Sequence, residues 1–382
     1  MTNKKLKIVY LTPSLYIAGG VERVLTLKAN YFAEHFDYDI TIILTDGKER
    51  PFFYPLSPKI KVIQLDINFE QLWSLSFLRK IPVYLYKQRL YRRKVGETLM
   101  QLRPDITVSL LRREINFLCD IKDGSKKVGE LHITRGNYRN FNDRDTNWAK
   151  QLFAQYWMHG LVKQLRRLDR FVVLTHEDAR SWTELSNVEV IPDPLSFRTE
   201  TVSPLTSKRV IAVGRYSYEK GFDLLLKAWA KVAEKTTNWQ LEVFGSGNRE
   251  PYLVQMKQLG IDPSRCHLNG ATNHIGEEYL KSSVMVFSSR FEGFGMALVE
   301  AMACGLPVVS FACPCGPKDI VTDGVNGLLA KPEDVLQLAD KLLLLTTDDA
   351  LRRRLAANAV KRSHDYDLPQ LSLEWKKLFE SL

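Results

Sequence analysis

The stretch FEGFGMALVEAMACGLPVV, Phe291–Val309, places two carboxylates, Glu292 and Glu300, eight positions apart around Gly293-Phe294-Gly295. Glycine has no Cβ, so a ligand can approach this backbone closely. Met296–Cys304 consists of good helix formers and stops at Gly305, with Pro307 just beyond, a normal helix ending. The spacing therefore predicts a helix starting just after Gly295, whose free N–H groups face an anion or a sugar oxygen. Glu292 then sits on the loop before the helix and Glu300 inside it, both near one pocket. The same residues also fit a blander picture: a surface Glu, a turn, and a buried helix carrying one exposed Glu. Pro307–Phe311 follows as an apolar run, which makes the unit strand, loop, helix, strand.

That alternation extends outward in both directions. Upstream, Lys7–Leu11, Ile40–Leu44, Lys61–Leu65, Asp105–Leu111, Lys127–Leu131, Arg170–Thr175 and Val188–Ile191 read as strands, and Val21–Glu34 as a helix. The chain breaks at Ile191-Pro192-Asp193-Pro194, and the polar run Thr199–Arg209 reads as a linker. A second series begins at Arg209–Val213 and continues through Trp239–Phe244, Cys266–Leu268, Val284–Ser288 and Pro307–Phe311. Helices separate these strands at Gly221–Ala233, Pro251–Leu259, Ile275–Lys281 and Met296–Cys304, with Val335–Leu345 after them. Repeated βαβ units imply parallel sheets. The fold class is α/β, with two doubly wound Rossmann-like domains facing across a cleft and ligand at the carboxyl ends of the strands. The expected boundaries are 1–195, 196–365 and a terminal helix in 366–382.

The 382 residues, 45% hydrophobic and 26% charged, suit a globular chain of two domains. The opening MTNKKLKIVYLTP is not expected to be a secretory signal, since its apolar run is short and holds a lysine. No window approaches the roughly 18 apolar residues of a membrane span. Five scattered cysteines suit a reducing cytoplasm better than a disulfide framework. Cys313-Pro314-Cys315 has the look of half a metal site, but no second Cys/His pair completes it, and no metal is expected.

The net charge of +10 points to an anionic partner. Arg79, Lys80, Lys87, Arg89, Arg92, Arg93, Lys94 and Arg103 face a single acid, Glu97, with Tyr84, Tyr86 and Tyr91 interleaved. Pro82 is expected to start a helix with Val83, Tyr86 and Leu90 on one side. Arg79–Arg103 reads either as an element at an anionic membrane surface or as a solvated helix packed by its apolar side.

Several motifs join the opening stretch. Gly214-Arg215-Tyr216-Ser217-Tyr218-Glu219-Lys220-Gly221 follows a strand and offers an Arg fork and a mobile Lys to phosphate oxygens. Arg215 and Lys220 also fit plain salt bridges with Glu219 and Asp223. Ala18-Gly19-Gly20-Val21 follows the first strand without a full G-x-G-x-x-G, so a dinucleotide site is weakly supported. Phe244-Gly245-Ser246-Gly247 and Asn269-Gly270 are further strand-end turns, and His132 lies just after a strand, with Arg135 and Arg139 beside it.

Together with Asp323-Gly324-Val325-Asn326-Gly327-Leu328-Leu329, these elements resemble, in order over nearly the whole chain, the motifs of glycosyltransferase family 4. The resemblance implies a GT-B fold, a retaining transfer, and a last helix crossing back to the first domain. It implies that the first domain binds the acceptor and the second the nucleotide sugar. Arg215 and Lys220 would hold the diphosphate, Glu300 the ribose, Glu292 and His132 the transferred sugar, and the backbone from Gly293 through Phe294, Gly295 and Met296 its oxygens. Gly20, Gly214, Gly245, Asn269 and Gly270 would border the nucleotide sugar. Asp193 and Asp319 stand where the family usually has Asn and Glu.

The chain shows no G-x-S-x-G, H-E-x-x-H or P-loop, and a metal-independent transfer without a cofactor is expected. The expected activity moves a sugar from a nucleotide diphosphate, with UDP the expected nucleotide, to a glycan or lipid-linked acceptor in polysaccharide assembly. The expected location is the cytoplasm, at the inner face of the membrane. A nucleotide-sugar epimerase of the same fold is the alternative. A nucleic-acid-binding protein is the remote one, because the basic residues cluster in a single segment.

Overall fold

The computed structural model describes residues 5–140 and 148–382, with backbone alone at 77, 139, 140 and 148–153. It divides into two units, Met1–Pro192 with Leu368–Leu382, and Asp193–Asp367.

In the first unit, β1 (Lys7–Thr12), α1 (Gly20–His35), β2 (Asp39–Leu44), β3 (Lys61–Gln64), α2 (Phe77–Leu102), β4 (Ile106–Ser109), β5 (Lys126–Leu131), α3 (Trp148–Leu165), β6 (Arg170–Val173), α4 (His176–Ser181) and β7 (Val188–Val190) follow one another. The strands form one sheet in the order β3-β2-β1-β4-β5-β6-β7, with parallel pairing throughout. Alternate residues of a strand face opposite sides, and here both sides are covered. Ile8 and Tyr10 pack with Phe32 of α1, while Val9 and Leu11 pack with Tyr91, Val95 and Leu99 of α2. That double burial is why β1 reads as an unbroken apolar run.

Helix α2 departs from expectation. It begins at Phe77, five residues before Pro82, and Lys80 N donates to the Ser76 carbonyl at 2.9 Å. A proline this near a helix start removes little of the ladder, and the helix runs on for 26 residues in all. Its buried side differs at one position: Val83 and Leu90 pack inward as expected, but Tyr86 is 67% exposed while Tyr91 is 2% exposed. Tyr91 packs edge-on against Phe69 and Phe117, so the packed stripe passes through Tyr84, Tyr91 and Val95 and leaves Tyr86 outside.

The second unit runs β8 (Arg209–Val213), α5 (Phe222–Lys235), β9 (Gln240–Phe244), α6 (Glu250–Gln258), β10 (Cys266–Asn269), α7 (Ile275–Leu280), β11 (Val284–Phe287), α8 (Met296–Ala303), β12 (Val308–Phe311), α9 (Pro317–Ile320), β13 (Gly327–Ala330), α10 (Val335–Thr347) and α11 (Asp349–Ser363). Its sheet is ordered β10-β9-β8-β11-β12-β13 and parallel throughout. Val210, Ala212, Leu225 and Trp229 belong to its core. The strand order reverses between β8 and β11, and in open α/β sheets the crevice at such a reversal is where ligands bind. The last helix, α12 (Leu368–Glu380), belongs to the first unit and lays Trp375, Leu378 and Phe379 against the α1 side of its core. No described helix is long and apolar enough to cross a membrane.

Candidate functional site

The loops after β8 and β11 meet at the strand-order reversal of the second sheet. After β8, Tyr218–Lys220 form a 3-10 turn ending at Gly221, whose φ is 62°. A side chain there would be strained by that angle and would also strike the Ser288 carbonyl. Gly214 leaves room for the Lys220 stem, since a Cβ in its place would lie 3.1 Å from Lys220 Cγ and Cδ. Guided in this way, Lys220 Nζ reaches Glu292 Oε1 at 2.7 Å. The same oxygen accepts the Ser289 hydroxyl at 2.5 Å. The lysine and glutamate side chains are 19% and 10% exposed, so both are shielded yet open on one side.

Arg290, which the sequence reading passed over, ties the two loops together. Its backbone N donates to the Glu219 carbonyl at 2.8 Å, and its Nη1 to the Tyr218 carbonyl at 2.8 Å. Its guanidinium forks onto Asp223 at 2.8 and 2.7 Å, donates through Nε to Glu333 at 3.0 Å and lies 4.2 Å over the Tyr218 ring. Burial pushes the Asp223 carboxyl up, but the bonds and charge of Arg290 outweigh it and hold the pKa below its ordinary value. The available signal was an Arg two residues before Glu292 and an Asp two after Gly221; their pairing across 67 positions was not readable.

Helix α8 starts at Met296 with Gly295 as its cap at φ 107°, as the sequence predicts. Phe294 is buried edge-on against Tyr366, which fixes the loop whose N–H groups open the helix. Glu292 N donates to the Pro314 carbonyl at 3.3 Å, so Cys313-Pro314-Cys315 braces this loop. All five cysteines are buried and none is in a disulfide. Glu300 is not an exposed helix residue. It is 5% exposed, and its carboxylate accepts Ser196 Oγ at 2.5 Å and Tyr279 Oη at 3.5 Å.

Other expected residues lie around this centre. Arg215 is 71% exposed and pairs with Glu219 at 2.8 Å. At Gly245 a side chain would strike the Gly214 carbonyl, so the turn after β9 runs directly against the Gly214-Arg215 backbone. Asn269 donates its amide to Glu242 at 2.7 Å, and its carbonyl accepts Tyr216 Oη at 2.8 Å. Gly270 follows in open space. Gly293 lies between Glu292 and Phe294 on the loop into α8.

In the first unit, Gly20 opens α1 and His132 lies directly after β5. His132 Nε2 is 3.1 Å from Glu130 Oε1, and Lys28 pairs with the same oxygen. Burial raises the Glu130 pKa, but the charges and hydrogen bonds of Lys28 and His132 outweigh it and bring it to about 2. Arg135 forks onto Glu184, both bonds at 2.7 Å, and stacks on Trp182. The Arg139 side chain lies outside the described residues.

Residues 196–362 match the family model described as Glycosyl transferases group 1. The chain is 28% identical over 376 residues to an uncharacterized glycosyltransferase of Haemophilus influenzae, covering 97% of this chain and 99% of that one. It is 25% identical over 385 residues, covering 98% of each, to a Campylobacter jejuni N-acetyl-D-galactosaminyltransferase named for a GalNAc-GalNAc-diNAcBac-PP-undecaprenol acceptor. A Staphylococcus aureus TarM structure in complex with fondaparinux, alpha-GlcNAc-glycerol and UDP superposes with a TM-score of 0.77 at 15% identity, covering 98% of this chain and 99% of that one. The fold is thus two parallel-sheet Rossmann-like domains with GT-B glycosyltransferase neighbours. The family model, the relatives and the structural neighbours are all glycosyltransferases, and it is to these that the chain is similar.

Proposed function

We propose that this protein transfers a sugar from a UDP-linked donor, with retention and without a metal, to a hydroxyl of a glycan or lipid-linked acceptor, in the manner of family 4. The observation that carries the reading is the placement of Lys220 against Glu292 at the sheet-order reversal, with Glu300 held on the helix that follows. Lys220 and Arg215 neutralise the diphosphate as the glycosidic bond breaks, a role fixed cations can fill. Glu292 binds the sugar hydroxyls and steadies the positive charge that develops at the anomeric carbon. Glu300 takes the ribose hydroxyls in exchange for Ser196 and Tyr279. The free N–H groups of α8 meet sugar or phosphate oxygens. The acceptor binds the first unit, where His132 contacts the transferred sugar. A relative named for an undecaprenol-linked acceptor and structures solved with UDP support this reading.

The first unit also docks on an anionic membrane, at the inner face in the cell. Trp73, Leu78, Ile81 and Leu85 are 73%, 82%, 48% and 50% exposed. The last three fall at helical spacing on one stripe of α2, beside the exposed Arg79, Lys80, Arg89 and Arg93. Tyr84 and Tyr91 pack inward and do not join this surface. Lys87 and Lys94 spend their charge on the Ile67 and Leu65 carbonyls.

One screen tests the activity: UDP and GDP release across nucleotide sugars, with and without polyprenyl-phosphate-linked glycans. Acceptor-dependent release with a product of retained anomeric configuration is the expected result. Donor interconversion without acceptor would instead establish the epimerase.

A further inference from the structure

Two charges lie inside the first unit where hydrocarbon would pack at lower desolvation cost. Lys28, on α1, is 2% exposed, and Glu130, on β5, is 1% exposed. Helix α1 and strand β5 also carry Leu25, Ala29, Phe32 and Val128 of the apolar core, and the buried Tyr10 hydroxyl of β1 lies close enough to feel the Glu130 charge. A buried ion pair is a weak source of stability, because desolvating two ions offsets most of their attraction. The pair therefore calls for another reason, and its geometry offers one.

Lys28 Nζ meets Glu130 Oε1 and lies 4.1 Å over the ring of Trp375, a side chain of α12 that is 1% exposed. Glu130 Oε1 lies in turn 3.1 Å from His132 Nε2. The two-residue step along the chain brings the carboxylate beneath the imidazole at the carboxyl end of β5. The χ2 of histidine is soft, and a carboxylate on one ring nitrogen settles both its orientation and its tautomer.

We propose that Lys28 and Glu130 are positioning residues for His132: the carboxylate, anchored by the ammonium and closed from water by Trp375, stands 3.1 Å from Nε2 and aims the ring by its charge. This rests on the reading of His132 as a contact of the transferred sugar, and adds the groups that orient it. It also gives the returning helix α12 a task beyond covering the core, since Trp375 seals the anchor.

The test uses the full chain with four variants: Lys28→Met/Glu130→Leu together, Glu130→Gln, Lys28→Met and His132→Ala. The double variant removes both charges at similar volume, so it keeps its fold, whereas Lys28→Met alone leaves Glu130 uncompensated and unfolds more readily. The first readout needs no substrate: the exchange-protected ring N–H resonance of His132, assigned by its loss in His132→Ala. The second is kcat and KM for UDP release from the best of UDP-glucose, UDP-galactose, UDP-GlcNAc and UDP-GalNAc. In the double variant the resonance disappears and kcat falls on the order of 10- to 100-fold, as misplacement of a reacting contact does, with UDP affinity unchanged. Glu130→Gln, which keeps an acceptor oxygen, recovers part of both. A folded double variant with the wild-type resonance and wild-type kcat overturns the proposal. If His132→Ala keeps full kcat, the sugar-contact reading fails instead, and the resonance alone then decides the positioning role.

Discussion

The two units wind the same kind of parallel sheet but place charge differently at its carboxyl edge. In the second unit Lys220 and Glu292 stand 19% and 10% exposed, at a strand-order reversal, on loops braced from behind by Arg290. In the first, Lys28 and Glu130 are 2% and 1% exposed, below the strand end, and His132 rises above them. On the proposed reading the difference separates two jobs. A cation that neutralises a phosphate must be reachable by it. A charge that orients another side chain works best dry, where the interaction is strong and water cannot compete.

Substitution in the second unit should break this contrast first. Lys220→Ala is expected to lower turnover by about 100-fold or more, since a group that stabilises the leaving charge contributes several kcal/mol in such sites. Arg215→Ala should cost less, about tenfold, because this arginine lies in solvent where charge is screened. Steady-state UDP release measures both; near-normal turnover in both variants removes the diphosphate assignment. The two glutamates should part next. Glu292→Gln mainly lowers kcat, while Glu300→Gln mainly weakens UDP binding, as calorimetry would show. Equal losses of both quantities in both variants would merge their roles.

Arg290→Met probes the brace itself. It strands Asp223 and frees the Lys220 turn, and the expected cost is about 1–3 kcal/mol of stability with a smaller fall in kcat than for Lys220→Ala. The sign with pH follows from the lowered pKa of Asp223. The pair stabilises fully above the unfolded carboxyl value of about 3.9, and that share is lost as pH falls through the lower folded value. Wild type and variant should therefore converge in acid melts and separate at neutral pH. A constant gap from pH 7 down to 3 contradicts the assignment.

The first unit offers a contrast in which chemistry should stay untouched. Trp73, Leu78, Ile81 and Leu85 replaced together by Gln should release the protein from anionic vesicles and leave UDP release in solution unchanged. Binding of the unaltered chain should fall with salt as the Debye length shrinks from about 10 Å at 0.1 M to 3 Å at 1 M. Equal co-sedimentation of both proteins reduces α2 to an ordinary solvated helix. The smallest effect expected is none: activity in EDTA should equal activity without it, since Lys220 and Arg215 already stand at the proposed phosphate site. Loss with chelator and rescue by Mg²⁺ or Mn²⁺ would replace the metal-free mechanism.

Local rules carried much of this. The alternation of apolar runs with helical stretches specified two βαβ series, because strands buried on both faces must be apolar throughout. Gly295 and Gly305 bounded α8 within a residue, because caps depend on immediate neighbours. The segment GLLA at 327–330, a strand of four residues, and α11, rich in Arg and Ala, escaped notice, being short or weakly patterned. Glycine spacing and Glu292, Lys220 and Glu300 could be picked from the chain as candidates. Tertiary structure alone decided their company. Arg290 on Asp223, Ser196 on Glu300, and Lys28 under Trp375 join residues 67, 104 and 347 positions apart. Pairing at such separation is set by sheet order and helix packing, and sequence spacing carries no record of either. The side of α2 that meets the core was decided in the same way: Tyr86 and Tyr91 are alike as residues, and only the position of Phe69 and Phe117 made one of them interior.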